Sequence, residues 1–303
     1  MKRISQRDIA RQLGVNVSTV SRALRGLDGV SAELKQQIEQ LSEQMGYRPN
    51  PFAVSLRYDT THTIGIVVPD VSFNHYAHIV KRIEAEARNA GYMCIITDSD
   101  EKQKNEADCL EWLVNMHVEG IIICPSQETT DFSRLQQLRK AHFPVVLFDR
   151  APDVGISSVS INDSDSARQA TNSLIDGGAR RIAFLGGSNQ MKQTTDRKHG
   201  YLVALRERGI PIRPELVKCH SISFNSGLSD AMELLSLPEP PDAILASHDW
   251  VSELTTPRIS FVRQNLREIG CKTFRLLLDQ IRGNDNVQQV VVKARLELRE
   301  STR

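Results

Sequence analysis

Aromatic residues make up only 5% of the 303-residue chain, and cysteine is confined to Cys94, Cys109, Cys124, Cys219 and Cys271. These cysteines are odd in number, scattered and never form a C-x-x-C pair, which argues against both a disulfide framework and a zinc site. No apolar run approaches the roughly 18 residues of a membrane span. The opening MKRISQRDIARQLG has no apolar stretch of signal-peptide length. The expectation is a reduced, cytoplasmic protein with no membrane contact. An excess of one charge is also lacking: 38 Lys/Arg meet 37 Asp/Glu, for a net +1. Affinity for nucleic acid must therefore come from a local patch. The pairs Gly177-Gly178 and Gly186-Gly187 do not fit G-x-G-x-x-G, which speaks against a nucleotide site. His75, His78, His117, His142 and His199 show no metal spacing with acidic partners and read as surface or packing residues. No nucleophile–base arrangement supports an enzyme. The reading thus calls for no metal, no cofactor and no catalysis.

What is present is an ordinary globular balance, 40% hydrophobic and 25% charged, long enough for two or three compact units. Residues 1–48 read as a helix-turn-helix. Ser5 with Asp8 three positions later fits a capping box, Ile9, Ala10 and Leu13 give one apolar face, and Gly14 ends the helix in a tight turn. Asn16 caps a second helix with Val20 and Leu24 facing inward. Ser31 caps a third, on which Leu34, Ile38, Leu41 and Met45 recur at helical spacing. The second helix of such a unit enters the major groove. Its base-facing residues are Val17, Ser18 and Arg22, with Thr19 and Ser21 placed for phosphates. Arg22 suits two hydrogen bonds to a guanine, worth about 1–3 kcal/mol of discrimination. Residues 1–48 carry eight Lys/Arg against five Asp/Glu, a modest basic excess. A three-helix bundle without DNA affinity is the plainer alternative; the small hydroxylic face of Ser18, Thr19 and Ser21 speaks against it.

Residues 49–60 read as a hinge helix. Asn50 is a good cap and Pro51 suits the first helical position. A helix of about seven residues is too short to stand alone in water. Leu56 is an apolar side chain of the kind that wedges between base steps in the minor groove; a plain linker remains the other reading.

From residue 61 apolar strand-like runs alternate with helical patterns. Runs at Thr63–Pro69, Cys94–Thr97, Gly120–Cys124 and Pro144–Phe148 are followed by a second series at Arg181–Leu185, Val217–His220 and Ala243–Ala246. This is the pattern of parallel sheets built from βα units, in two lobes. Ligands sit at the carboxyl ends of such strands, here Asp70, Asp149-Arg150 and His248-Asp249.

DIARQLGVNVSTVSRAL, MGYRPNPFAVSL, IGIVVPD, VEGIIICPS and LELREST, taken together, resemble the lactose/galactose repressor (LacI/GalR) family over nearly the whole chain. The resemblance implies an all-α helix-turn-helix head on an α/β two-lobed, periplasmic-binding-protein-like body with parallel sheets. It implies a homodimer on a pseudo-palindromic operator and a small effector, a sugar or sugar phosphate, held between the lobes. Val17, Ser18 and Arg22 match the base readers, Leu56 the minor-groove wedge and Ala53 the hinge contact beside it. Phe73 and Tyr76 fall where aromatic effector contacts are usual, although either fits a core position equally well. Asp149 and Arg197 match the polar clamp, and His248-Asp249 stand where the family usually shows Asn-Asp. The first lobe is expected over about 61–160 plus 262–285, and the second over about 163–258 plus 288–303.

One departure stands out. After Ala246 the chain passes through SHDWVSEL directly to TTPRISFVRQ, where a further helix and strand are expected. A unit on the order of 25–30 residues is missing near Asp249. Its loss opens a sheet edge and weakens any dimer contact made there. Asn162-Asp163 invert the usual Asp-Asn pair, and Ile222 replaces an aromatic residue of some sugar-binding relatives. Two other functions therefore stay open: a constitutive DNA binder with an impaired effector lobe, and a small-molecule binding protein without regulatory output.

Overall fold

The structure, a computed structural model, describes residues 4–47, 60–248 and 256–302. Contacts divide the chain into two compact units, 1–61 and 62–303. All but the last residue of the expected hinge, Asn50, Ala53 and Leu56 included, and Asp249 as well, lie outside the described residues.

The first unit has three helices: α1 (Gln6–Leu13), α2 (Val17–Leu24) and α3 (Ala32–Gln44). At its start, Ser5 N–H and Ser5 Oγ both donate to Asp8 Oδ2, at 2.9 and 2.7 Å. Gly14 closes α1 at φ +65°, a left-handed conformation that glycine adopts without steric cost. Asn16 occupies the cap position of α2, but its side chain makes no capping bond. Ser31 caps α3 by accepting from Leu34 N–H at 3.3 Å. Ile9, Ala10, Val20, Ala23 and Ile38 form the buried centre. Burial of one stripe on each helix holds these short segments together where propensity alone would not.

In the second unit a six-stranded sheet has the order β10-β5-β4-β3-β1-β2, all parallel. Its strands are β1 (Thr63–Val68), β2 (Met93–Asp98), β3 (Ile121–Ile123), β4 (Val145–Phe148), β5 (Ser157–Ile161) and β10 (Gln289–Val292). The inner strands β1, β3 and β4 are near-continuous apolar runs because helices cover both faces. Ile79 and Ile83 of α4 (Asn74–Asn89) and Ile269 and Leu277 of α10 (Leu266–Ile281) pack on one face. Leu110 and Leu113 of α5 (Gln103–Asn115), with Leu135 and Leu138 of α6 (Ser133–Lys140), cover the other.

The second lobe has a three-stranded parallel sheet, β7-β6-β8, from β6 (Ile182–Gly186), β7 (Val217–Cys219) and β8 (Ala243–Ala246). Helices α7 (Asp163–Asp176) and α8 (Lys192–Glu207) pack on one face, where Ile175, Tyr201 and Leu205 meet Ile182 and Phe184. Leu234 of α9 (Phe224–Leu235) meets Ala183 and Leu185 on the other. Helices α7 and α8 approach very closely at Gly200, where a Cβ would stand 2.0 Å from the Ser164 carbonyl oxygen. A small antiparallel pair, β9 (Phe261–Arg263) with β11 (Arg295–Glu297), completes the described strands.

One expected boundary is corrected. Residues 288–303 do not all join the second lobe, because β10 pairs in parallel with β5 and forms an end of the first sheet. Its partner strand lies about 130 residues earlier, so nothing local to 289–292 says which sheet it completes.

Candidate functional site

In the first unit, α2 sorts its residues into two sides. Val20, Ser21 and Ala23 are buried, while Val17, Ser18 and Arg22 are exposed and Thr19 is half-buried. Positions 18 and 22 are one turn apart, so Ser18 and Arg22 project side by side, next to Val17 at the helix start. Arg22 is in no ion pair shown among the described residues, and its Nη1 lies near Gly29. Ser21, expected to reach a phosphate, is only 9% exposed. Its burial with Val20 and Ala23 sets it on the packed side of the head rather than on the exposed face, against the phosphate role expected of it.

In the second unit the ends of β4, β5, β6 and β8 bring charged groups together between the lobes. Asp149, directly after β4, is 6% exposed and adopts φ +59°. This left-handed backbone is uncommon for a residue with a side chain and typical of residues held for a purpose. His75 Nε2 stands 3.2 Å from Asp149 Oδ1, at ion-pair distance but off the angle of a hydrogen bond. Gln193 of α8 donates to the same oxygen across the cleft at 3.4 Å. Burial pushes the Asp149 carboxyl up, but His75, Arg197 and Arg150 overcome this and hold it well below the usual carboxylate range.

Arg197, on α8, donates from Nε to Asp163 Oδ1 at 2.7 Å and from Nη1 to the Ser247 carbonyl oxygen. It thereby ties the start of α7 to the end of β8. Burial raises the Asp163 pKa, with Arg197 acting in opposition. His248 bonds Ser247 Oγ through Nδ1 at 2.7 Å, and its Nε2 is shut off from solvent without a partner among the described residues. Burial, reinforced by Arg197 and Arg150, pushes its pKa well below the ordinary value of 6.5. The imidazole is therefore neutral, with one ring nitrogen uncommitted. Arg150 grips Glu101 through two bonds of 2.6 and 2.7 Å. A cavity of about 160 Å³ opens beside Arg150, lined also by Ser126, Thr129, Gln190 and Gln193.

The structure thus gathers Asp149, Arg197 and His248 as expected from their places at strand ends and on the facing helix. One expected residue is buried beside this cluster, its ring 5.2 Å from that of His75 and 5.8 Å from the Arg150 guanidinium carbon. Tyr76 is 4% exposed and belongs to the first-lobe core, edge-on to Phe148 at 6.4 Å. Its spacing from Ile79 and Ile83, both buried, places it on the inward stripe of α4, so no effector contact is assigned to it. Phe73, at the cap of α4, is half-buried and packs against the same core. Residues that the sequence did not single out are Gln193, Asp163 as the partner of Arg197, and His75. His75 is corrected from a surface or packing residue to a neighbour of Asp149. Its position at the start of the helix that follows β1, as the second residue of α4, was the available signal. Among the described residues no three metal-ligating side chains converge.

A helix-turn-helix unit on the same chain as a two-lobed parallel α/β body defines a bacterial DNA-binding transcription regulator. Residues 6–50 match the family described as bacterial regulatory proteins, lacI family, and residues 61–255 match the periplasmic binding proteins and sugar binding domain of LacI family. The chain belongs to the LacI family, whose members are transcription regulators rather than enzymes. Catabolite control protein A of Priestia megaterium is 29% identical, with 98% of each chain covered. That alignment runs over 329 positions, more than the 303 residues of this chain, so the relative carries positions with no counterpart here. A complex of the transcriptional regulator CelR with cellobiose is similar at 26% identity and TM-score 0.72, covering 99% of this chain and 100% of that one. The lac repressor dimer bound to operator and an anti-inducer shares the fold at TM-score 0.84 and 20% identity, with 99% of each chain covered.

Proposed function

We propose that the protein is a cytoplasmic, homodimeric repressor of sugar-metabolism genes whose operator affinity is set by a sugar or sugar phosphate bound between the lobes. The convergence of Asp149, Gln193, Arg197 and His248 from both lobes carries this reading. A carboxylate, an amide, a guanidinium and a free imidazole nitrogen offer the acceptors and donors that hydroxyl groups require. Phe73 supplies an apolar side, and Asp249 adds a carboxylate. On the DNA side, Val17, Ser18 and Arg22 read bases, Thr19 holds a phosphate, and Asn50, Ala53 and Leu56 serve the hinge in the minor groove. Effector binding draws Arg197 from Asp163 and Ser247 to the ligand and shifts the lobes between two states. Only a ligand that binds the two states unequally changes operator affinity.

A second reading has its own support. Arg197 is already engaged by Asp163 and Ser247. A regulator with its cleft closed on itself binds DNA constitutively. The deciding experiment selects operators from random DNA with the purified protein, then measures operator affinity and thermal stability against sugars and sugar phosphates. Saturable stabilisation by one compound, with a matching change in operator affinity, supports the switched repressor. Operator binding unaltered by every compound, with no stabilisation, supports the constitutive one. Failure to select any operator refutes both.

A further inference from the structure

The second lobe holds a cavity of about 320 Å³ beside β7, an edge strand of its sheet. Asn189, Lys198, Val217, Lys218, Cys219 and His220 line it, and none of them lines the cavity beside Arg150. β7 and β8 flank β6 on opposite sides. The breadth of the sheet therefore separates this cavity from His248, the last residue described after β8.

Three segments bring nitrogen groups to this edge. Val217 and Cys219 pack on the α8 side of the sheet, and strand alternation sends Lys218 and His220 to the other side. There they meet Glu233 and Asp230 of α9. Lys198 reaches the edge from α8, and Asn189 from the loop before that helix. His220 N–H donates to the Gly186 carbonyl oxygen. The preceding residue, Cys219, therefore turns its own N–H away from β6 to the open side.

The charges here are unequally matched. Lys218 pairs with Glu233, and His220 Nδ1 lies 2.8 and 2.9 Å from the two oxygens of the buried Asp230. Lys198 has no carboxylate partner among the described residues. Its Nζ donates to Asn189 Oδ1 at 2.8 Å, and a neutral amide oxygen leaves the positive charge standing. No aspartate or glutamate lines the cavity. A lysine on an edge strand ordinarily serves to keep other chains away, and Lys218 alone would do so. A second lysine carried in on a helix and steadied by an amide, over a recess with no acid on its wall, is suited to a ligand of negative charge.

We propose that this recess is a second ligand site, for a small oxyanion of the phosphate class, either free phosphate or the phosphate group of a metabolite. Lys198 Nζ and Lys218 Nζ supply charge-assisted donors and Cys219 N–H a fixed one. With Nδ1–H held by Asp230, His220 Nε2 accepts from a P–OH. The ligand gives Lys198 the counter-charge it lacks. The site stands independently of the effector reading above, although Lys198 follows Arg197 on α8 and an occupant rests on the helix that carries the clamp.

Isothermal titration of the full-length protein with inorganic phosphate and with glycerol 3-phosphate, at fixed ionic strength and without DNA, provides the test. At least one of them binds saturably, and the tighter one tells free phosphate from a phosphate ester; glycerol does not bind. Lys198→Met weakens binding about tenfold or more. Lys192→Met, also on α8 but beside the other cavity, leaves it unchanged, and circular dichroism confirms that both variants fold. Cys219 gives a local readout, since residues 1–61, which include the DNA-reading head, contain no cysteine. The bound anion slows alkylation of Cys219 by iodoacetamide but not that of Cys109, as followed by mass spectrometry, and Lys198→Met abolishes this protection. The proposal is overturned if neither anion binds saturably, if Lys198→Met binds like the wild type, or if Lys192→Met alone abolishes binding. Binding that leaves the alkylation of Cys219 unaltered also overturns it.

Discussion

Replacing Arg197 with leucine separates the structural from the ligand-binding work of that side chain. Arg197 and Asp163 have side chains only 12% and 6% exposed and meet at 2.7 Å. Removing the guanidinium strands a buried carboxylate and deprives the Ser247 carbonyl of its donor. Breaking such a pair from one side costs about 3–5 kcal/mol. Asp163 has an escape, because burial already raises its pKa and Arg197 is the opposing influence. Without Arg197 the native carboxyl holds its proton to higher pH than the unfolded one, so the variant loses stability as pH rises. Its deficit is greater at pH 8 than at pH 5. The double variant Arg197→Leu/Asp163→Leu removes both charges and falls within about 1–2 kcal/mol of the wild type. Urea unfolding followed by far-ultraviolet circular dichroism measures all three proteins, with a shared slope confirming that the same surface is exposed. A single-variant loss below about 1 kcal/mol at pH 8, or a double variant as unstable as the single, would refute the buried-pair argument.

Other outcomes follow from the same geometry. Gly200→Ala forces α7 and α8 apart at a backbone contact and costs about 1–3 kcal/mol or more; an unchanged melting temperature would contradict the close approach. Below pH 6.5, His248 takes up a proton in the unfolded chain but not in the native one. Stability therefore falls with decreasing pH by at most about 1.4 kcal/mol per unit from this group. His248→Asn flattens that slope in pH-dependent melting, and an unaltered slope would exclude His248 as its source. Arg22→Ala relaxes operator preference at one base pair by about 1–3 kcal/mol in gel-shift titrations. Equal losses on operator and unrelated DNA would instead mark Arg22 as a phosphate contact.

Local pattern carried most of the elements. The run Thr63-Ile-Gly-Ile-Val-Val could only be a strand covered on both faces, and Gly14 marked the turn that separates the first two helices. β5 was hidden because Ser157-Ser-Val-Ser-Ile has three hydroxyls. It is nonetheless buried, with Ser158 hydrogen-bonded to Gln289 on the neighbouring strand. β10 was not singled out as a strand, and its place in the first sheet could not be read locally, since its partner lies about 130 residues earlier. In the cleft, strand ends exposed Asp149 and His248 to inspection. His75 and Asp163 acquire their meaning only from neighbours distant in sequence. Tyr76 fitted a core position as well as an effector contact, and its helical phase sets it with Ile79 and Ile83.

The placement of β10 also bears on how the protein is made. The head closes on contacts within 44 residues of chain and can form soon after it leaves the ribosome. The first lobe cannot complete its sheet until residues 289–292 arrive, after the whole second lobe has been synthesised. Its β5 edge waits unpaired through that interval, and such long-range closure is slow and open to misassembly. Premature termination only some fifteen residues from the end would injure the lobe that was translated first, while leaving the DNA-reading head able to fold.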